Sequence, residues 1–113
     1  MKFLVEIDHP KTGDVVSHET SRTFVTEVIF PTLERAEHLV REGKIVAGGP
    51  VAGRIALRFI AEVSSPQELD QVITSLPLWR IADTRVTALI EFSDRRKHVE
   101  TLMQSRSKRP DIT

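Results

Sequence analysis

The sequence predicts a single α+β domain with the ferredoxin-like element order βαββαβ, in which a four-stranded antiparallel sheet carries two helices on one face. Three observations lead to this fold class. Four short segments alternate apolar and polar residues, as strands with one buried face do. Two longer segments repeat apolar residues every three or four positions, as helices with one buried stripe do. The 113 residues suffice for one core but not for two ordinary domains.

The first strand and the first helix occupy the N-terminal part of the chain. Apolar residues alternate with more polar neighbours over residues 3–8, which predicts a strand. The polar stretch of residues 9–22 contains Pro and Gly, and we interpret it as a long loop. Residues 24–42 then predict a helix, which is expected either to kink or to begin at Pro31. The predicted apolar stripe of this helix consists of Val25, Ile29, Leu33, Ala36 and Val40.

A hairpin and a second helix follow. Residues 44–48 and 54–63 are typical of two strands, and the Gly- and Pro-containing segment between them favours a turn. Ser65 and Glu68 then form a capping box, with a proline at the first helical position. This combination predicts a helix that ends by about Leu76, because the proline that follows penalises its continuation.

The C-terminal part of the chain contains the fourth strand and an additional helix. Residues 85–92 alternate again, which predicts the strand. Ser93 or Asp94 can cap a last helix beyond the basic βαββαβ pattern. Residues 105–113 are expected to fray, so the predicted domain comprises residues 1–104 and the tail the remainder.

The composition excludes several classes of protein. Sixteen basic residues cancel sixteen acidic ones, so no overall field draws the chain to nucleic acid or to an anionic membrane. The absence of cysteine excludes disulfides and Cys-ligated metals. The N-terminus lacks the apolar run of a signal peptide, and no apolar stretch is long enough to span a bilayer. We therefore expect a cytoplasmic protein with neither nucleic acid nor membrane as a partner.

Strand alternation divides the predicted sheet into two faces. The face beneath the helices is expected to be apolar, whereas the helix-free face is half apolar and half charged. A second subunit covering the helix-free face would enclose a partly dehydrated pocket there. The apolar set expected beneath the helices is Phe3, Val5, Ile7, Ile55, Leu57, Phe59, Val63, Val86, Ala88, Ile90 and Phe92. The apolar residues that the second subunit would bury are Leu4, Ile60 and Leu89.

The helix-free face contains the principal candidate site residues. In this topology the first strand lies between the third and the fourth, which can bring Glu6 near Arg58 and Thr87. Arg recognises a carboxylate through two parallel hydrogen bonds, and Glu can transfer a proton. A pocket with these groups suits a small acid. The alternative is that they form ordinary cross-strand ion pairs at an interface.

Further candidates lie around this predicted pocket. His9 ends the first strand and is a candidate proton carrier, with a solvated loop histidine as the alternative. Asp8 and Arg54 belong to the same face and are candidate substrate-binding residues. Trp79 could form a wall of the pocket, with a position in the core or in an interface as the alternative, and Arg80 could lie at the rim of the pocket. The four histidines lack the helical spacing of metal ligands, so no metal site is predicted.

Four short motifs follow one another between residues 42 and 92. They are Gly43-Lys44, Ser65-Pro66-Gln67-Glu68-Leu69, Leu76-Pro77-Leu78-Trp79 and Val86-Thr87-Ala88-Leu89. In this order they resemble the muconolactone Δ-isomerase family, and Leu76-Pro77-Leu78-Trp79 is the most specific of them. The resemblance implies a dimeric α/β-barrel built from two sheets that face each other. It also implies an enzyme that shifts a double bond in a small lactone carboxylate by moving a proton, without a metal or organic cofactor.

Residues and resemblance together lead to one hypothesis and one alternative. We expect a cofactor-free, homo-oligomeric isomerase acting on a small lactone or carboxylate, in which Glu6 or His9 moves the proton and Arg58 anchors the acid. The alternative is a non-catalytic oligomeric module that binds a small ligand or a protein partner through the same face. A pocket filled by apolar side chains would favour this alternative.

Overall fold

The computed structural model describes residues 1–10 and 18–108. It contains a four-stranded antiparallel sheet in the order β2-β3-β1-β4, so the predicted α+β architecture with β1 between β3 and β4 is confirmed. The strands are β1 (Lys2–Asp8), β2 (Ile45–Pro50), β3 (Ala56–Glu62) and β4 (Asp83–Leu89). The helices are α1 (His18–Phe24), α2 (Phe30–Arg41), α3 (Pro66–Thr74) and α4 (Phe92–Lys108), with a π-helical turn at Val25–Ile29 and a 3-10 turn at Pro77–Ile81.

One hydrophobic core lies between the sheet and the helices α2 and α3. Alternate residues of β1 are buried, and Val5 and Ile7 have no exposed surface, as the period of two predicts. Leu39 of α2 and Leu76, which follows α3, are likewise fully buried. The remaining core residues are Phe3, Ile45, Leu57, Phe59, Ala61, Val63, Leu69, Val72, Ile73 and Leu78.

The first helical segment begins earlier than predicted. α1 starts at His18, so the prediction of a loop is wrong from there on, while residues 11–17 of that loop lie outside the described residues. The π-helical turn Val25–Ile29 leads into α2, whose first turn contains Pro31. Proline has no N–H to donate and its ring crowds the preceding turn. The wider π turn accommodates this ring, so the helical path continues through the proline.

The buried stripe of α2 differs from the predicted one in its rotation about the helix axis. Thr32 and Leu39 are buried, whereas Val25 and Val40 are 38% and 55% exposed. The hydroxyl of Thr32 accepts a hydrogen bond of 3.0 Å from the backbone N–H of Leu78, in the 3-10 turn. A buried polar residue with a specific partner therefore lies on the inward face, and apolar periodicity alone does not reveal it.

Helix α3 begins as its capping box predicts. Ser65 is the N-cap, and its hydroxyl accepts a hydrogen bond of 3.1 Å from the backbone N–H of Glu68. The Glu68 carboxylate in turn accepts hydrogen bonds from the hydroxyl and the backbone N–H of Ser64. These two hydrogen bonds from Ser64 lower the pKa of Glu68 below its usual value, since both stabilise the charged form.

The hairpin of β2 and β3 contains an irregularity that its glycines permit. The register shifts between Ile45 and Ala47, so Val46 forms a bulge. Gly48 has a φ of 116°, and a Cβ there would lie 2.1 Å from the Arg58 carbonyl oxygen. Strand β3 starts at Ala56, so Arg54 and Ile55 precede it. The expected burial of Ile55 is wrong, because this residue lies in the turn and is 44% exposed.

Strand β4 is exposed on both faces, contrary to the prediction for its helix-side residues. Val86 is 44% exposed and Ile90 62%, because the helices cover β1 and β3 but stop short of β4. Phe92, predicted as the end of the strand, begins α4 and is 96% exposed. The predicted C-terminal helix is thus present, and it continues to Lys108, past the predicted boundary at residue 104. Residues 109–113 lie outside the described residues.

No helix in the part of the chain that the structure describes is long and apolar enough to cross a membrane.

Candidate functional site

A polar cleft of about 210 Å³ opens on the helix-free face of the sheet. It lies across the three neighbouring strands β3, β1 and β4, which supply its side chains. The antiparallel register places Glu6 of β1 directly between Arg58 of β3 and Arg85 of β4. The residues that line the cleft are Glu6, Asp8, Arg58, Asp83, Thr84 and Arg85.

Arg58 joins the two carboxylates of β1 that line this cleft. Its Nε lies 3.3 Å from Oε1 of Glu6, and its Nη2 donates a hydrogen bond of 3.1 Å to Oδ1 of Asp8. The third nitrogen, Nη1, donates to the backbone carbonyl of Leu57 at 2.9 Å. All three guanidinium nitrogens therefore have a partner within the protein, which fixes the direction of the group.

A second arginine supports Asp8 from the hairpin turn. Nη2 of Arg54 donates a hydrogen bond of 2.7 Å to the same Oδ1 that Arg58 contacts. The register also places Asp8 directly opposite Asp83 of β4, a like-charge pair that would be destabilising by itself. The two arginines on Asp8 offset this repulsion. The structure thus brings four of the predicted site residues, Glu6, Asp8, Arg54 and Arg58, into one ionic cluster.

The candidate residues omit three of the residues that line the cleft, Asp83, Thr84 and Arg85, and Arg85 is the cationic one. It faces Glu6 across the β1–β4 ladder, and it has no ion-pair partner among residues 1–10 and 18–108. Strand alternation already places Arg85 on the helix-free face, but the predicted neighbour of Glu6 was Thr87. In the structure Thr87 lies opposite Leu4, one step along the same face, and does not line the cleft.

His9 lies apart from the cleft. Its ring packs against the ring of Phe24 with 5.3 Å between the centroids, and its backbone N–H donates to the Ile55 carbonyl at 3.0 Å. Because successive side chains of a strand alternate between faces, the residue after Asp8 points toward the helix side. The structure therefore does not bring His9 together with Glu6 and Arg58.

Trp79 and Arg80 also lie away from the cleft. Both belong to the 3-10 turn Pro77–Ile81, and neither lines the cleft in the protomer. Trp79 is 40% exposed, whereas its neighbour Leu78 is buried in the core. The motif that contains these residues is therefore anchored by Leu78 and leaves the indole at the surface.

The acidic residues of the cleft do not form a metal centre. Within the two described ranges, no three His, Asp or Glu side chains are grouped closely enough to hold a metal ion. Two of the acidic side chains in the cleft are instead paired with Arg58. The cleft thus provides carboxylates that can accept a proton and guanidinium groups that can bind an anion.

Comparison with known proteins identifies the family. The family model of muconolactone delta-isomerase matches residues 1–95, most of the chain. The chain belongs to the muconolactone delta-isomerase family. The fold agrees with this assignment: the crystal structure of a muconolactone isomerase has a TM-score of 0.63 and 26% sequence identity, and the match covers 80% of this chain and 90% of that one.

A second solved structure shares the fold of this muconolactone delta-isomerase family member. It is a 5-chloro-2-hydroxyhydroquinone dehydrochlorinase from Burkholderia phenoliruptrix, in complex with 2,5-dihydroxybenzoquinone. Its TM-score is 0.59 at 18% identity, with 83% of this chain and 98% of that chain covered, and the likeness concerns the fold. No curated protein matches the chain. Membership of the family supports an isomerase-like function in the conversion of a small molecule.

Proposed function

We propose that this protein is a cofactor-free isomerase that moves a proton within a small lactone or carboxylate bound in the cleft. The observation that carries the proposal is the position of Glu6 between two arginines. Arg58 forms an ion pair with Glu6, whereas Arg85 has no ion-pair partner in the part of the chain that the structure describes. A carboxylate held in a fixed direction can transfer a proton, and an unpaired guanidinium beside it can bind the acid group of a substrate. The family assignment supports this class of reaction.

The proposed reaction needs a single group that first accepts and then returns a proton. The Glu6 carboxylate takes a proton from the γ-carbon of the unsaturated lactone, and the electron pair of that C–H bond delocalises through the conjugated double bond onto the carbonyl oxygen. Protonated Glu6 then returns the proton to the α-carbon, next to the carbonyl, which shifts the double bond to the β,γ position. Positive charge in the cleft stabilises the enolate oxygen that forms between the two steps.

The two arginines of the cleft take different roles in this proposal. Arg58 orients Glu6 through the 3.3 Å contact and is occupied by Asp8 and a backbone carbonyl, so it is a positioning residue. Arg85 binds the substrate carboxylate. This assignment differs from the sequence-based expectation that Arg58 anchors the acid. Three of the five N–H donors of Arg58 already face Glu6, Asp8 and a backbone carbonyl, whereas Arg85 has no ion-pair partner among the described residues.

The other predicted site residues are assigned by their position in the sheet and by their ion pairs. Asp8 and Arg54 complete the ionic cluster and set the electrostatic balance at one end of the cleft. Thr87 lies farther along the same face and extends the substrate-binding surface. His9, Trp79 and Arg80 remain candidates only through a second subunit that would bring them to the cleft of its neighbour.

A homo-oligomer completes the site in this proposal. The cleft opens to solvent in the protomer, and the apolar residues Leu4, Ile60 and Leu89 lie on the same face, beyond Glu6. A second copy placed face to face would bury these residues and exclude water from the cleft, which strengthens the electrostatic interactions inside it. We place this assembly in the cytoplasm, as the composition predicts.

The proposal is tested by exchange of a substrate hydrogen with solvent. The chain is incubated in D₂O with muconolactone, and then with a panel of small unsaturated lactone carboxylates, and deuterium incorporation is followed by proton NMR. We expect incorporation at the carbon next to the carbonyl, and loss of at least 100-fold in the Glu6→Gln variant, because general acid–base groups contribute about 10²–10⁴-fold. Glu62→Gln, on the same face but outside the cleft, is the matched control.

The role of Arg85 is tested separately by Arg85→Gln. We expect KM to rise by about tenfold or more while the unfolding free energy changes little, since Arg85 is exposed and lacks an ion pair within the described residues. Arg41→Gln, an exposed arginine of α2, is the control. A KM that Arg85→Gln leaves unchanged would return the anchoring role to Arg58.

The non-catalytic alternative has one observation in its favour. Arg58 already forms ion pairs with both Glu6 and Asp8, as it would in a purely structural ion-pair cluster. In that case the same lactone carboxylates would raise the thermal stability of the protein without exchanging hydrogen with solvent. Binding without exchange in the native chain would therefore support a ligand-binding module in place of an enzyme.

A further inference from the structure

Two charged residues of the cleft, Asp83 and Arg85, have no ionic partner. Both line the cleft, and neither forms an ion pair or a side-chain hydrogen bond within residues 1–10 and 18–108. The other charged residues of the cleft, Glu6, Asp8 and Arg58, all belong to the ionic cluster. The cleft thus offers a ligand one carboxylate and one guanidinium group that the described part of the protein does not already use.

These two groups lie two residues apart on the same strand, β4. Because successive side chains of a strand alternate between faces, Asp83 and Arg85 share the helix-free face. Two residues of an antiparallel strand rise by about 7 Å. The two side chains form no ion pair with each other. A small ring with a carboxylate arm, lying along β4, can therefore place the arm on Arg85 and its opposite end beside Asp83.

The position of Asp83 is unfavourable for the free protein. The register places it directly opposite Asp8, and like charges opposite each other on neighbouring strands are destabilising. The two arginines that contact Asp8 form no ion pair with Asp83. Asp83 is exposed, so a ligand in the cleft can contact its carboxylate. A charge in a repulsive position without a compensating partner is typical of a functional residue.

The balance of charge in the cleft determines which group fits beside Asp83. With the supporting arginine of the hairpin turn included, three carboxylates face three guanidinium groups. The six residues are Glu6, Asp8, Asp83, Arg54, Arg58 and Arg85. Two of the arginines are already paired with Glu6 and Asp8, so a second carboxylate beside Asp83 would meet a like charge and no unpaired cation. A hydroxyl group there would instead donate a hydrogen bond to the Asp83 carboxylate.

We infer that Asp83 determines the substrate specificity of the cleft: it selects a lactone monocarboxylate with a hydroxyl group at the end opposite its carboxylate, and it excludes dicarboxylates. The inference rests on the proposed function, because it takes Arg85 as the anchor of the substrate carboxylate. It adds a specificity residue and a narrower substrate class to that function. Asp83 accepts a hydrogen bond from the substrate and takes no part in the proton transfer by Glu6.

Calorimetric titration with saturated lactones tests this specificity without turnover. Three ligands share one lactone ring and one carboxylate arm, and they differ only in the substituent at the far end, which is hydrogen, hydroxyl or carboxylate. We expect the native chain to bind the hydroxyl compound about tenfold more tightly than the unsubstituted one, because hydrogen bonds to charged groups are the strong ones. The dicarboxylate should bind about tenfold more weakly than the unsubstituted compound. Equal affinities for the three ligands, or no binding of any of them, overturn the inference.

Two substitutions of Asp83 test whether this residue is the source of the preference. Asp83→Asn should reduce the discrimination against the dicarboxylate to about threefold or less, and Asp83→Arg should bind the dicarboxylate at least about tenfold more tightly than the native chain does. Asp70→Asn, at an exposed position of α3, is the matched control and should leave all three affinities within about twofold. A dicarboxylate affinity that Asp83→Arg leaves unchanged overturns the inference.

Urea unfolding separates a role in binding from a structural role of Asp83. The urea midpoint of Asp83→Asn should equal or exceed that of the native chain, because the substitution removes the repulsion of Asp8. A midpoint well below the native value would make Asp83 a structural residue and overturn the inference.

The titrations also distinguish this inference from the proposed function. The saturated ligands have no double bond to shift, so their affinities do not depend on isomerisation. A hydroxyl preference that Asp83→Asn reduces, in a chain that exchanges no substrate hydrogen with solvent, supports the inference and refutes the proposed isomerase. Hydrogen exchange without such a preference supports the isomerase and overturns the inference.

Discussion

Replacing Thr32 by valine removes a single hydrogen bond from the core while keeping the shape of the side chain. Thr32 is 2% exposed, and its hydroxyl accepts the 3.0 Å hydrogen bond that links α2 to the 3-10 turn. In Thr32→Val the backbone N–H of Leu78 stays buried but loses its partner. An unsatisfied buried donor costs about 1–3 kcal/mol, so we expect the unfolding free energy to fall by about 2 kcal/mol.

The loss is measured by urea unfolding at one fixed protein concentration, because an oligomer gains stability by mass action. The urea midpoint should fall while the slope of unfolding free energy against urea stays constant, since the buried area does not change. Thr74→Val is the matched control: Thr74 is exposed at the end of α3, where its hydroxyl donates to the Asp70 carbonyl. A difference of less than about 0.5 kcal/mol between the two variants would refute the role of the Leu78 hydrogen bond.

Two further predictions concern the hairpin and the cap of α3. Gly48→Ala should lower the urea midpoint far more than Gly49→Ala. A Cβ at Gly48 would lie 2.1 Å from the Arg58 carbonyl oxygen, whereas a Cβ at Gly49 would have no neighbour within 4 Å. Equal losses in the two variants would contradict this reasoning. Since the folded pKa of Glu68 lies below 4.5, its contribution to stability is present above pH 4.5 and is lost as the pH falls through the lowered pKa. In Glu68→Gln the unfolding free energy should therefore depend less on pH in this acid range. An effect no larger than that of Glu37→Gln, a substitution at an exposed position of α2, would argue against this role of Glu68.

The parts of the fold that local patterns determine were predictable. The predicted alternation in β1 is present in the structure, because successive side chains of a strand point to opposite faces of the sheet and the helices cover one of these faces. The cap at Ser65 likewise depends on residues three positions apart. The inward face of α2 was not predictable, because the helix carries apolar residues on more than one side and the choice depends on Thr32 finding Leu78.

The candidate site shows the same division between local and long-range information. Strand parity and sheet order are enough to bring Glu6 and Arg58 together, and the structure does so. Whether Arg85 or Thr87 faces Glu6 depends on the register of β4, and a shift of two residues preserves the apolar pattern while exchanging these neighbours. The exposure of β4 could not be inferred from the strand itself, since it depends on how far the helices extend across the sheet.

The two outer strands of the sheet differ in their ability to recruit another strand. β2 is interrupted at Val46 and ends in Pro50, which has no amide hydrogen to donate, so its free border is a poor template. β4 pairs with β1 in unbroken register along its whole length and contains no proline. If the β4 edge of one molecule paired with the β2 edge of the next, the sheets would join into an open-ended fibre. The defects in β2 oppose that polymerisation.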